Sequence, residues 1–111
     1  MSEITLKQVC EKYGVSRRAV QGYEKYGLVC ASGKTDRGYL LYDEQAQEQI
    51  RTARMLQGFG FSVKEIVDYQ SRDDSMRAEL LQKKLRYLLE ERSAIEENIS
   101  KIRKLIGTVK E

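Results

Sequence analysis

The chain reads as a mostly α-helical protein: four short helices interrupted once by a small β-hairpin, then one long helix. Three observations carry this reading. Capping signals stand at the heads of apolar-periodic segments, proline is absent from all 111 residues, and the last third spaces its apolar residues alternately by three and four.

Thr5 stands three residues before Gln8, a capping-box spacing, and Leu6, Val9, Cys10 and Tyr13 follow at helical intervals. A first helix is expected over about residues 6–13. Gly14 supplies the positive φ that ends it, and Ser16 can accept the free amides of a second helix that begins at Arg17 and ends near Gly27. Between Leu28 and Tyr42 the helical period disappears. Apolar ends (Leu28 and Val29; Tyr39 and Leu41) flank the polar stretch Ser32 to Gly38, as in a small β-hairpin.

Asp43 caps a third helix in which Ala46, Ile50, Ala53 and Leu56 share one face until Gly58 and Gly60 interrupt it. Ser62 and Glu65 form a second capping box, opening a fourth helix with Val63, Ile66 and Val67. Phe59 and Phe61 are expected to pack these two helices together. The polar cluster Ser71 to Ser75 is the evident boundary, giving two parts, 1–72 and 73–111. Beyond it Ala78, Leu81, Leu85, Leu88, Arg92, Ile95, Ile99, Ile102 and Ile106 form a heptad seam with one charged interruption. Such a stripe is covered continuously only by a partner helix, so the second part reads as a coiled-coil dimerisation helix.

Composition bounds the function. With 41% hydrophobic and 33% charged residues the chain is too apolar to be disordered, and its excess charge suits a long solvated helix. The net charge of +3 hides an uneven distribution: seven basic against four acidic residues in 1–42, four against seven in 43–74, nine against six in 75–111. Two cysteines and no histidine exclude histidine-based catalysis and the common zinc sites, so neither an enzyme nor a metal or other cofactor is expected. Cys10 is expected as a buried, inert thiol; Cys30 has no basic or thiol neighbour in sequence to activate it. No apolar run approaches a membrane span and the start lacks a secretory stretch, so the expected place is the cytoplasm, with both thiols reduced.

A small residue (Cys10), a turn glycine four residues later (Gly14) and β-branched Val15 and Val20 are what two helices need to cross as a helix-turn-helix. The second helix then carries Arg17, Arg18, Gln21 and Tyr23, read as its outward side. Arg and Gln can pair with guanine and adenine edges in a major groove. Lys34, Arg37 and Tyr39 sit at or beside the hairpin tip, suited to a sugar-phosphate backbone.

In order and spacing, Tyr13-Gly14-Val15-Ser16, Tyr23-Glu24-Lys25-Tyr26-Gly27-Leu28, Gly38-Tyr39-Leu40-Leu41-Tyr42 and Gly58-Phe59-Gly60-Phe61-Ser62-Val63-Lys64-Glu65-Ile66 resemble the turn, recognition helix, wing and paired-helix junction of the MerR family of transcriptional regulators. The resemblance covers about residues 4–70 and implies a winged helix-turn-helix followed by a dimerisation helix. It places Ser16, Arg18, Tyr23 and Tyr39 at DNA-contacting positions, with Arg17, Arg37 and Lys64 close by. It also implies an antiparallel coiled-coil homodimer through Leu81, Leu85, Leu88, Arg92, Ile95, Ile99, Ile102 and Ile106, double-stranded DNA as partner, and RNA polymerase as a further one.

The chain departs from the family where Gln21-Gly22 replaces the usual Arg-Tyr, where Leu40 replaces an Arg, and where Cys30-Ala31 replaces the prolines after the recognition helix. Only Gly107 to Glu111 follow the seam, so the family's usual metal, cluster or drug sensor is not expected. Two function classes fit. One is a sequence-specific regulator that distorts promoter DNA at a palindromic operator; the other is an architectural or excision-type DNA-binding factor, or a protein-interaction module on the same fold.

Overall fold

A computed structural model describes residues 3–110. The elements run β1 (Ile4–Thr5), α1 (Leu6–Tyr13), α2 (Arg17–Lys25), β2 (Gly33–Lys34), β3 (Leu40–Tyr42), α3 (Glu44–Gly58), α4 (Val63–Gln70) and α5 (Asp74–Lys110). The chain divides into two compact units between Arg72 and Asp73.

In the first unit the helix heads follow their capping side chains. The Thr5 hydroxyl accepts from the Gln8 amide while the Gln8 side chain accepts from the Thr5 amide, and Ser62 and Glu65 repeat the exchange. Ser16 and Asp43 cap α2 and α3, accepting from Ala19 and Ala46 at 3.0 and 2.9 Å. Gly14 ends α1 at φ 63°, a conformation that penalises any residue with a Cβ. Gly27, at φ 76°, plays the same part after α2, where the Leu28 amide reaches back to the Tyr23 carbonyl at 2.9 Å.

The sheet is antiparallel in the order β1-β3-β2, with Ile4 opposite Tyr42, Gly33 opposite Leu41 and Lys34 opposite Leu40. It differs from expectation twice. A two-residue β1 precedes α1, too short to show an alternating pattern. The hairpin strands are Gly33–Lys34 and Leu40–Tyr42, whereas Leu28 and Val29 lie outside them; Val29 fills the core instead.

That core gathers Val9, Val15, Val20, Tyr23, Val29, Tyr42, Ala46, Ile50 and Ala53, and a second cluster gathers Leu56, Phe61 and Ile66 with Tyr69 packed against it. Burying each large apolar side chain contributes about 1.5 to 3 kcal/mol. Of the two phenylalanines, Phe61 is buried in the α3–α4 cluster, whereas Phe59 is 39% exposed. Cys10 is half-buried rather than sealed in the core, because Val9 beside it takes the inward position.

The second unit is the single helix α5, 37 residues and therefore about 55 Å long. The Asp73 carboxylate accepts from the Met76 amide at 2.9 Å and heads it. None of its residues is buried: Leu85, Ile95 and Ile102 are each more than half exposed.

Candidate nucleic-acid interface

Val20 and Tyr23 share one side of α2 and both are fully buried, so the opposite side is presented to solvent. There Arg17, Arg18 and Gln21 are exposed, with Lys25 a further turn along. Gly22 lies between them, and a methyl group added at its Cα would meet no atom within 4 Å. The exposed side of α2 therefore has a gap where a side chain could stand.

Two phenols fix the helix from behind. Tyr23 donates its hydroxyl to the Gln57 side chain of α3 at 2.5 Å, and Tyr42 of β3 donates to the Glu24 carboxylate. Burial raises the Tyr42 phenol well above its ordinary value, reinforced by the hydrogen bond and charge of Glu24. Burial also raises Tyr23, partly opposed by the Arg54 charge. Both remain donors at neutral pH. Tyr23 thus corrects the expected outward placement: its ring belongs to the core, and its role is to hold α2 in position.

A third fastener joins α1 to α3. Gln47, the one buried polar residue of the described core, accepts from Lys12 Nζ at 3.0 Å and from the Tyr13 hydroxyl at 2.9 Å, and donates to the Tyr42 carbonyl at 2.9 Å. Sequence reading missed this and the two phenol bonds, since each joins residues far apart in the chain.

Ser16 is exposed, and because its oxygen only accepts from Ala19, its hydroxyl proton is available to a phosphate. In the wing, the Gly38 amide donates to the Thr35 carbonyl at 2.9 Å and the Tyr39 amide to Thr35 Oγ1 at 3.1 Å, closing a tip that carries exposed Lys34, Arg37 and Tyr39. Lys64 is exposed at the head of α4. Arg17 of α2 and Tyr39 of the wing line one cleft, together with Lys7, which sequence reading did not single out. Elsewhere in this unit Lys12, Arg51 and Arg72 are engaged by Gln47, Glu48 and Asp68. Arg17, Arg18, Lys34, Arg37 and Lys64 have no ion-pair partner among the described residues.

On α5 the residues of the seam, from Ala78 to Ile106, are all exposed, and Arg92 lies 3.9 Å from Glu96 of its own helix. Among the described residues no group of acidic or cysteine side chains is placed to hold a metal ion, and no helix is long and apolar enough to cross a membrane.

A helix-turn-helix whose second helix leads into a β-hairpin beside it defines a winged helix-turn-helix protein. The chain belongs to the MerR HTH family of regulatory proteins, whose model matches residues 4–73. That is a family of DNA-binding regulators rather than enzymes. The transcriptional activator mta of Bacillus subtilis is 29% identical over 104 residues, covering 94% of this chain and 40% of the activator. The solved N-terminal part of the same B. subtilis multidrug transporter activator superposes with a TM-score of 0.69 at 28% identity, covering 93% of this chain and 97% of that one. A MerR family regulator lacking the sensor domain, solved bound to promoter DNA, superposes with a TM-score of 0.70 over 95% of this chain and 88% of its own; at 17% identity that likeness shows the fold alone. The chain spans 22% to 48% of the length of the curated relatives it matches.

Proposed function

We propose that the chain is a sequence-specific, double-stranded DNA-binding regulator of transcription that acts in the bacterial cytoplasm as a homodimer on a palindromic operator. The observation that carries this is the set of exposed cations on α2 and the wing that have no ion-pair partner among the described residues, whereas Lys12, Arg51 and Arg72 of the same unit are engaged. Arg18 and Gln21 read or anchor the major groove, Ser16, Arg17, Lys34, Arg37, Tyr39 and Lys64 hold the groove edge and backbone, and Tyr23 acts from the core. The seam of α5, exposed along its length, supports antiparallel pairing with a second copy; the two recognition helices then meet two half-sites, distorting the promoter presented to RNA polymerase.

Selection of bound duplexes from a random library is the test. A recovered palindrome is expected, and Arg18→Ala should weaken binding to it by about 1 to 3 kcal/mol in fluorescence anisotropy. The gap at Gly22 and the apolar Leu40 favour a second reading, an architectural or excision-type factor: binding with no enriched sequence, or unchanged affinity in Arg18→Ala, would point there.

A further inference from the structure

We infer that the cleft between the heads of α1 and α2 and the wing is a single phosphate clamp, in which Lys7, Arg17 and the Tyr39 hydroxyl hold one backbone phosphate of bound DNA. Lys7 is then a positioning residue supplied by the first helix. This rests on the DNA-binding reading above and adds to it a contact that neither the helix-turn-helix pattern nor the wing pattern contains.

The cleft encloses about 470 Å³ and has Leu6 and Leu40 on its walls. Three of its polar side chains are donors still available. Lys7 and Arg17 have no ion-pair partner, and the Tyr39 hydroxyl, on a side chain 62% exposed, makes no hydrogen bond among the described residues. Thr5, which also lines it, has its hydroxyl engaged with Gln8. An ammonium, a guanidinium and a phenol over apolar walls match an anion with several acceptor oxygens, not a base edge, which alternates donors and acceptors. The apolar walls strengthen the attraction by keeping the local dielectric below that of water.

The helix heads point the same way. Neither α1 nor α2 has an acidic residue in its first turn, and both carry cations there, which opposes the helix dipole. An anion between the two heads offsets that repulsion. Gly38 at the rim has no side chain to obstruct the adjoining sugars, and nothing lies within 4 Å of where its Cβ would stand.

The experiment measures anisotropy of the full chain on the selected operator and on an unrelated duplex across a salt series, for the wild type, Lys7→Ala, Lys7→Arg, Arg17→Ala and the Lys7→Ala/Arg17→Ala pair. Lys7→Ala should weaken both duplexes alike, by roughly three- to tenfold, and lower the salt slope by about one. Lys7→Arg should restore both. The double variant should lose less than the two single losses combined, because both cations act on one phosphate. Thermal unfolding of Lys7→Ala should show a melting temperature no lower than the wild type, as an exposed cation leaves a first turn. Unchanged affinity and slope in Lys7→Ala, with Arg18→Ala still weakened, overturns the clamp and leaves the DNA reading standing. A wild type that binds neither duplex overturns both.

Discussion

Tyr42 and Tyr23 show how single buried side chains fix α2 from behind. Both phenols are buried and hydrogen-bonded, and both are raised above the ordinary tyrosine value, chiefly by burial. The unfolded chain releases these protons near pH 10 while the folded chain keeps them. Their contribution is therefore complete below pH 10 and is lost as pH climbs above it, by up to about 1.4 kcal/mol per pH unit for each phenol. Tyr42→Phe should lower stability at pH 7 by about 1 to 3 kcal/mol, since Glu24 loses its donor, and should flatten the alkaline decline. Urea unfolding between pH 7 and 11 measures both, and an equally steep decline in the variant contradicts the account. Gly22 offers the opposite case. It lies within α2 with open space beyond its Cα, so Gly22→Ala should raise stability by about 0.5 to 1 kcal/mol, read as a higher urea midpoint at an unchanged slope. The caps at Thr5, Ser16, Asp43 and Ser62 were legible because each acts within three residues. Tyr23's burial was not, because its partner Gln57 lies 34 residues away.

Among the elements, the helices were read more closely than the sheet for a related reason. A helix declares itself through caps and a repeat confined to its own sequence, whereas β1 and β2 are two residues each and exist through their pairing with β3. Leu28 and Val29 looked like a strand end because buried apolar pairs occur in strands; the Gly27 turn directs them into the core instead. The wing's charged tip, by contrast, was legible from composition, since Lys34, Arg37 and Tyr39 are exposed as their side chains demand. Its proposed role is positional. Lys34→Ala with Arg37→Ala should weaken binding to all sequences by a similar factor and lower the salt slope by about one to two. Loss confined to the operator, with the slope intact, would show the tip reading bases instead.

For the whole molecule, the heptad spacing named the seam, and α5 presents it with no residue buried. Many exposed leucines and isoleucines on one helix are unstable as a solvent face, and one chain supplies nothing on its own helix to cover them. Replacing Ile95 and Ile99 with Asp should yield monomers that lose operator binding, because two half-sites are no longer engaged together. Sedimentation equilibrium of the wild type and this variant checks it, and a monomeric wild type at micromolar concentration refutes the pairing. The geometry of the proposed pairing was not legible in the sequence, since a heptad spacing records which residues share a stripe and not what covers it. The bare stripe also bears on gene dosage. If only paired chains occupy the operator, then below the pairing threshold occupancy rises with the square of the chain's abundance, so halving expression leaves about a quarter of the bound promoters. On that proposal, pairing through α5 would turn a gradual change in synthesis into a sharper change in output.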